Sequence, residues 1–443
     1  MSGSDDRFDV VIVGARCAGS PLATMLAGRG LRVCLLDRSE FPSDTLSTHV
    51  IQPCGVSILR RLGLLDGVIA AGAVTLTQFT LVNEDVRVEA RVDPKDLGAP
   101  AICIRRVSFD HLLVEAAASA GAEVRAGTAV TGLLTEAGRV AGVETTEGSI
   151  RASLVVGADG RSSTVAGLVG AAEYYVMPPH RLFSWAYFEG AADTGGNLRL
   201  GQKGELAFLA TPTDAGLFLA GPCPFMEARD TFLADREGEF MAGLRRWPEL
   251  AEIVAGAKRV GPIRVAANWH GYLREAVGPG WALVGDAGHF KDPTPAQGIS
   301  DAFRQASRLA DAVEAGLGGG ASIDAELGRW WQWRDRDAYA MFQLATDMGA
   351  PSSPLLGLEV LREIADDEEA TLKLLRVLNH ELRPSGLFTP RLIGRAIGGA
   401  VRNRPRQAPA LMREVASELR KEARHVRLRQ QKRGKKRQVA GRR

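Results

Sequence analysis

Two glycines and an acid near the start of the chain have the types and spacing of a dinucleotide-binding turn. Gly14 and Gly19 enclose a short turn that also contains Ala15, and Asp37 follows 23 residues after Gly14. Glycine permits the sharp turn and the close packing of helix on strand, and the N–H groups at a helix start favour the negative charge of a pyrophosphate. An acid at the position of Asp37 can accept hydrogen bonds from a ribose diol.

Arg16 occupies the position of the middle glycine in the G-x-G-x-x-G pattern. A side chain there hinders the approach of the backbone to a phosphate, unless the arginine turns outward or pairs with the phosphate itself. We therefore expect helix-start N–H groups to hold the pyrophosphate, with Arg16 at its edge.

Two further turns place a carboxylate directly after an apolar strand. Asp159-Gly160 follows the first of these strands, and Gly285-Asp286 follows the second. A carboxylate at Asp286 can accept a hydrogen bond from a ribityl hydroxyl of a flavin. The loop that follows contains Pro293 and leads to Gly298 at the start of a long helix. The N–H groups of that helix start can stabilise the negative charge of a reduced flavin ring.

The elements that position these residues are strands and helices in alternation. Residues 8–13 and 31–36 are short apolar runs typical of buried strands, and residues 21–27 have helical periodicity between them. A β-rich block covers about 181–270, and the chain is helical in pattern from Ile299 onward. We predict an α/β fold with an FAD/NAD(P)-binding Rossmann-like domain, an inserted β-sheet substrate domain and a helical C-terminal region.

The predicted domain boundaries follow from the same pattern. The cofactor domain is discontinuous, at 7–75, 100–180 and 270–320, and the substrate domain comprises 76–99 and 181–269. A helical C-terminal region at 321–412 and a basic tail at 413–443 complete the chain.

The three motifs, in this order, resemble those of the group A flavin monooxygenases, the family of para-hydroxybenzoate hydroxylase. They are equally similar to those of the related geranylgeranyl reductases and flavin halogenases. The resemblance covers roughly residues 8 to 315, and it implies that FAD is the cofactor. An arginine that contacts the cofactor in the family matches Arg106 or Arg105. The cofactor-binding residues expected on this basis are Gly14, Ala15, Gly19, Asp37, Arg38, Arg106, Asp159, Gly285, Asp286, Pro293 and Gly298.

The resemblance implies an FAD-dependent monooxygenase. Such an enzyme would hydroxylate or epoxidise a hydrophobic or aromatic small molecule with O2, through a flavin C4a-hydroperoxide. Because the chain has one glycine-turn unit, NAD(P)H would bind transiently, or a partner reductase would supply electrons or reduced flavin. The halogenase motif W-x-W-x-I-P is missing, since residues 184–188 contain one tryptophan and no proline, and this argues against a halogenase. A flavin-dependent alkene reductase and a non-catalytic flavin-binding protein remain alternatives.

Other residues are candidates for the substrate side. His49 follows the second strand by a short loop and is the candidate catalytic residue, because a histidine can exchange a proton near neutral pH. Phe183, Trp185 and Tyr187 share one face of a strand, and that face either lines an aromatic pocket or packs in the core. Lys291 either offsets flavin charge or lies on the surface. Arg38 could accept a 2′-phosphate or lie on an adenine, and the adenine role fits FAD better.

The composition of the chain limits where in the cell the protein can be expected and which partners it can be expected to bind. The chain has 443 residues, 5 cysteines with no C-x-x-C pair and a net charge of +3. These features predict a cytoplasmic protein with reduced thiols, no metal site and no transmembrane segment. Residues 413–443 hold 13 Lys/Arg against 3 Asp/Glu, while the remainder holds 42 against 49. Since the basic tail carries no aromatic residue for base stacking, we expect no nucleic-acid partner.

Overall fold

The computed structural model describes residues 7–47, 49–193, 195–320, 322–351, 354–403, 405–407 and 409–416. The basic tail predicted at 413–443 lies outside the described residues from position 417 onward.

The strands, in chain order, are β1 (Arg7–Val13), β2 (Val33–Leu36), β3 (Val50–Ile51), β4 (Val74–Leu76), β5 (Gln78–Asn83), β6 (Val86–Arg91), β7 (Ala101–Cys103), β8 (Glu123–Arg125), β9 (Val130–Glu136), β10 (Arg139–Thr145), β11 (Gly148–Gly157), β12 (Glu173–Met177), β13 (Phe183–Glu189), β14 (Asn197–Lys203), β15 (Leu206–Pro212), β16 (Leu217–Pro224), β17 (Lys258–Ala266), β18 (Gly271–Arg274), β19 (Val277–Gly278), β20 (Trp281–Leu283) and β21 (His289–Phe290).

The α-helices are α1 (Gly19–Ala27), α2 (Pro53–Arg61), α3 (Leu65–Ala70), α4 (Pro94–Leu97), α5 (Arg106–Ser119), α6 (Thr164–Leu168), α7 (Arg229–Ala234), α8 (Arg236–Arg245), α9 (Pro248–Val254), α10 (Gly298–Leu317), α11 (Ile323–Gly349), α12 (Leu355–Ala365), α13 (Glu368–Leu378), α14 (Pro384–Leu387) and α15 (Pro390–Asn403). Short 3-10 helices lie at Met226–Ala228, Gly285–Ala287 and Pro405–Gln407.

The first sheet has the order β19-β20-β11-β1-β2-β8; β10 also pairs antiparallel with β11, and β9 pairs antiparallel with β10. β1 pairs in parallel with β11 and β2, and β20 and β8 continue the parallel set. Val10 and Ile12 face one layer of the core and Val11 faces the other, which explains the unbroken apolar run in β1. The predicted α/β fold with a Rossmann-like cofactor domain is confirmed.

The direction of these parallel strands brings the three sequence motifs together. β1, β2, β11 and β20 all run the same way, so the residues that follow them lie at one edge of the sheet. α1, α5 and α10 share one buried core with the inner strands. This arrangement places the N-terminus of α1 and that of α10 beside the same edge.

The second sheet has the order β17-β13-β16-β15-β14-β5-β6. Side chains on one of its faces pack with residues of α12 and α13, and those on the other face pack with α8 and α9. Both faces of β13 are therefore buried. The strands at 78–91 and 183–266 thus form one sheet, while the exact domain boundaries given above stay a prediction.

Two searches of the described residues give negative findings. None of their helices is long and apolar enough to span a bilayer. No group of three or more His, Cys, Asp or Glu side chains in the same residues is arranged to hold a metal ion.

Candidate functional site

A cleft of about 690 Å³ opens at the carboxyl edge of the parallel sheet. It extends from the glycine turn after β1 to the loop before α10, and onward to β13 of the second sheet. Nine of the predicted cofactor residues line it: Gly14, Asp37, Arg38, Arg106, Asp159, Gly285, Asp286, Pro293 and Gly298.

The glycine turn is as tight as its sequence predicts. Gly14 has φ +103°, and a Cβ at this position would lie 2.5 Å from the carbonyl oxygen of Ala158. A Cβ on Gly19 would lie 1.8 Å from the carbonyl oxygen of Gly14. Only glycine fits at either position.

No side chain caps the N-terminus of α1. The N–H of Ser20 donates to the carbonyl of Arg16 at 3.0 Å, and Pro21 has no N–H. The N–H groups of Ala18 and Gly19 are therefore the ones left to a ligand in the cleft.

Asp37 fixes the end of β2 against this turn. Its carboxylate accepts hydrogen bonds from the N–H groups of Ala15 and Ser39, both at 2.8 Å. Each carboxylate oxygen has a second lone pair for another donor. Ala15 thus contributes to this turn through its backbone N–H, which donates to Asp37. Arg38 is exposed at the rim of the cleft.

Arg16 and Arg106 share one buried carboxylate, that of Asp110. Arg16 Nη1 lies 2.7 Å from Asp110 Oδ2, and Arg106 donates to both oxygens of Asp110 at 2.8 and 2.9 Å. Arg16 also donates to Ser43 Oγ at 2.8 Å. The guanidinium of Arg16 is therefore held by α5 and by the loop after β2. Asp110 was not singled out from the sequence, although an acid one helical turn after Arg106 was a usable signal.

Asp159 lies in the turn between β11 and α6. It accepts from Ser163 Oγ at 2.5 Å and from the N–H of Val165 at 3.2 Å, so it helps to cap α6. Burial raises the pKa of this carboxyl, and the hydrogen bonds oppose that shift.

Asp286 differs from Asp37 and Asp159 in that its carboxylate has no hydrogen-bond partner in the described part of the chain. Its side chain accepts no hydrogen bond and forms no ion pair with the described residues, although it lines the cleft. Burial raises the pKa of Asp286 to about 6, against the field of Arg161 and Arg106. Gly285, with φ +63°, packs against Ala18 and presents the acid to the cleft. An unpartnered carboxylate at this depth fits a ligand hydroxyl.

The loop after β21 carries a buried cation. Lys291 is 6% exposed, so the alternative of a surface lysine is wrong. Its ammonium group donates to Asp301 Oδ2 in the first turns of α10. No side chain caps α10, and a Cβ on Gly298 would meet no atom within 4 Å. The helix start is thus open toward the cleft.

His49 lies behind the cleft wall. Ser47 and Val50 line the cleft, but the ring of His49 is 1% exposed and contacts Tyr187, with 2.5 Å between Nε2 and the hydroxyl oxygen. Burial lowers the pKa of His49 to about 3, so the ring is neutral, and burial raises the pKa of Tyr187. A role for His49 in catalysis stays a prediction.

The far end of the cleft is aromatic. Phe183, Trp185, Trp269 and Phe290 line it. Both interpretations of the β13 face therefore hold, because Phe183 and Trp185 line the cleft and also belong to the core, whereas Tyr187 contacts His49. Arg161, which the sequence did not single out for this end, lies 5.1 Å from the Phe290 ring centre.

Comparisons with known proteins agree with this geometry. A family model described as "FAD binding domain" matches residues 7–326. The 6-methylpretetramide 4-monooxygenase of Streptomyces rimosus is 31% identical over 67% of this chain and 73% of its own length. The digeranylgeranylglycerophospholipid reductase 1 of Methanococcoides burtonii is 28% identical over 67% of this chain and 72% of its own.

A solved structure is similar over most of the fold. The flavin-dependent brominase Bmp2 superposes with a TM-score of 0.75 at 21% identity, covering 90% of this chain and 100% of the brominase.

Proposed function

The chain belongs to the FAD-binding-domain family, which includes group A-type monooxygenases and geranylgeranyl reductases, and we propose that it is a monooxygenase acting on a hydrophobic, aromatic small molecule. It is an FAD-dependent oxidoreductase. The observation that carries the finer proposal is that the cofactor motifs and an aromatic end meet in the same cleft. Apolar and aromatic walls with few polar groups are typical of sites for such substrates.

The chain offers partners for the pyrophosphate, the ribose and the ribityl chain of the cofactor. The N–H groups at the start of α1 would hold the pyrophosphate, and Asp37 would accept from the adenosine ribose. The unpartnered carboxylate of Asp286 would accept from a ribityl hydroxyl. Bound FAD supplies the redox chemistry with O2, and electrons come from NAD(P)H or from a partner reductase.

The protein itself positions the cofactor and the substrate, excludes water from the cleft and supplies positive charge beside the flavin. The uncapped start of α10 directs N–H groups and the positive end of a helix dipole into the cleft. Phe183, Trp185, Trp269 and Phe290 exclude water from the far end, which protects a reactive oxygen donor from wasteful breakdown.

The test is the stoichiometry of the purified, FAD-loaded protein with candidate aromatic and polyketide-like compounds. A monooxygenase consumes one NAD(P)H and one O2 for each hydroxylated or epoxidised product, and it releases one water. A saturated product formed without oxygen would identify an alkene reductase instead. A brominated product that depends on added bromide would identify a halogenase, and failure to take up FAD would contradict all three.

Two tryptophans of similar burial provide a matched pair for the substrate end. Trp269 lines the cleft and is 8% exposed, whereas Trp247 is 7% exposed and packs against Phe208 on the other side of the second sheet. We expect Trp269→Phe to raise KM for the substrate and to increase uncoupled NAD(P)H oxidation. Trp247→Phe should leave both unchanged.

A further inference from the structure

The C-terminal helical region contacts residues around the cofactor cleft through the segment Leu378–His380, which starts at the last residue of α13. This segment lies beyond the family match at 7–326. Leu378 is 3% exposed, Asn379 is 1% exposed, and the His380 side chain is 4% exposed. Two buried residues followed by a buried histidine side chain indicate a fixed contact.

Two residues of this segment contact the start of α10, which lines the cleft, and the third contacts the neighbouring helix α2. The Leu378 carbonyl accepts from Gln297 Nε2 at 2.7 Å, at the residue before α10. Asn379 Oδ1 accepts from the N–H of Cys54 at 2.6 Å, in the first turn of α2. His380 Nε2 lies 2.9 Å from Asp301 Oδ1.

His380 has φ +60°, a left-handed conformation that costs a non-glycine residue free energy. The surrounding contacts hold it there, and its ring is thereby turned toward Asp301. The other oxygen of Asp301 accepts from Lys291, so one buried carboxylate joins the histidine to the cleft-lining lysine.

The charges in this cluster decide what it presents to the cleft. Burial alone would raise the pKa of Asp301, but the Lys291 ammonium and His380 hold it well below its usual range. Burial lowers the pKa of His380, with Lys291 and Arg304 acting in the same direction and Asp301 against them. His289, also buried nearby, is neutral because burial lowers its pKa to about 3. Lys291 and Asp301 therefore form a charged pair with a neutral histidine behind it.

We propose that His380 is a positioning residue of the flavin site, which acts through Asp301 to fix the Lys291 cation beside the open start of α10. This inference rests on the proposed FAD site in the cleft. Lys291, Asp301 and Gly298 all line the cleft, so the balance between the cation and the carboxylate sets the local potential where a reduced flavin would carry negative charge. The C-terminal region is then a working part of the cofactor site.

The readout is the two-electron reduction potential of FAD bound to the full chain, measured by spectroelectrochemistry. His380→Leu removes a partner from Asp301, and the less compensated carboxylate should disfavour reduction by about tenfold, close to 30 mV for a two-electron couple. His380→Gln, whose amide can still reach Asp301, should restore most of the potential. Lys291→Met should shift it further in the same direction, and Asp301→Asn should shift it the opposite way.

The decisive comparison is made in the Asp301→Asn background. If His380 acts through Asp301, His380→Leu has no further effect there, whereas equal shifts in both backgrounds would overturn the proposal. His111, a partly exposed histidine paired with Glu115 and absent from the described cleft lining, provides the control, because His111→Leu should not move the potential. If His380→Leu does not fold, His380→Asn replaces it, since its shorter amide cannot reach Asp301.

Failure of this inference can be told from failure of the proposed function. A wild-type protein that takes up no FAD overturns both. A wild-type protein that binds FAD, with His380→Leu folded and its potential unchanged, overturns the role of His380 alone.

Discussion

The Arg16 guanidinium lies 2.7 Å from the buried carboxylate of Asp110. This contact explains how the turn accommodates an arginine in place of the middle glycine of the G-x-G-x-x-G pattern. Arg16 stands where a side chain would hinder a phosphate. It is instead tied to α5 and to Ser43, and it lies over the Phe41 ring at 5.4 Å. The sequence left open whether Arg16 turns outward or pairs with the phosphate. The geometry favours an arginine that turns away from the phosphate position.

We therefore predict that Arg16→Gly leaves FAD bound. Because the guanidinium is held by Asp110 and Ser43, its loss should change the dissociation constant by no more than roughly threefold, which is under about 1 kcal/mol. Quenching of flavin fluorescence on titration measures this. Asp286→Ala is the comparison and should weaken binding clearly. Release of the flavin by Arg16→Gly would show that this view of the turn is wrong.

Asp286 should make FAD-free protein less stable at neutral pH. Its pKa in the folded protein is about 6, above the unfolded value of 3.8, because burial disfavours the charged form. The penalty is absent below the unfolded pKa and fully present above the folded one. Asp286→Asn should therefore stabilise FAD-free protein near pH 8 by up to about 3 kcal/mol, at roughly 1.4 kcal/mol per pKa unit, and by little near pH 4. Urea unfolding at the two pH values measures the difference.

Asp214 provides a control of opposite sign for that experiment. Burial would raise its pKa, but hydrogen bonds from Arg105 overcome this and hold the pKa below its usual value. Its stabilising effect is present above the unfolded pKa and is lost as the pH falls through the depressed one. Asp214→Asn should thus destabilise near pH 8, and a stabilising effect there would contradict the assignment.

The sequence predicted the parts of the site that depend on local order. A strand, a glycine turn and an acid are neighbours along the chain, so Gly14, Asp37 and Asp286 could be named as candidates before any coordinates, and they line one cleft, while their cofactor contacts stay predictions. Parallel pairing then brings their strand ends to one edge.

His380 was not found, because its partner Asp301 lies 79 residues away in sequence. Asp110 was missed although Arg106 lies one helical turn before it, because its second partner Arg16 is 94 residues away. The burial of Lys291 likewise depends on packing between distant helices.

His49 and Tyr187 should act in turnover as a unit. The ring nitrogen and the phenol oxygen are 2.5 Å apart in a buried pair, so removing either group leaves the other without its partner. We expect His49→Asn and Tyr187→Phe each to lower kcat by about 10²-fold with FAD still bound, and the double variant to lose little more. Asparagine is chosen because it tolerates the φ of +66° at this position.

The pH profile separates this role from simple acid–base titration. Since the pKa of His49 is lowered to about 3, the ring stays neutral through the usual assay range, and its loss should reduce kcat without moving the profile. Unchanged turnover in both single variants would show that the two residues have no role in turnover. If the double variant lost the product of the two single losses, the residues would act independently and not as a unit.

Gly298 offers the sharpest test of where the flavin ring lies. It begins α10, and a Cβ there meets no protein atom within 4 Å, so packing does not require glycine. Alanine is in fact the better helix former by about 1 kcal/mol in a helix interior, and somewhat less at an end. Gly298→Ala should therefore leave the unfolding of FAD-free protein unchanged or slightly improved.

The same variant should nevertheless weaken FAD binding about tenfold or more, because the added methyl would occupy space beside the open N–H groups of α10. Gly328→Ala is the matched control: it lies within α11, its Cβ also meets no atom within 4 Å, and it is not part of the cleft lining among the described residues. Calorimetry of FAD-free protein and flavin titration of both variants separate folding from binding. Equal FAD affinity in the two variants would place the ring away from Gly298, and the helix start could then no longer be assigned to the reduced flavin's charge.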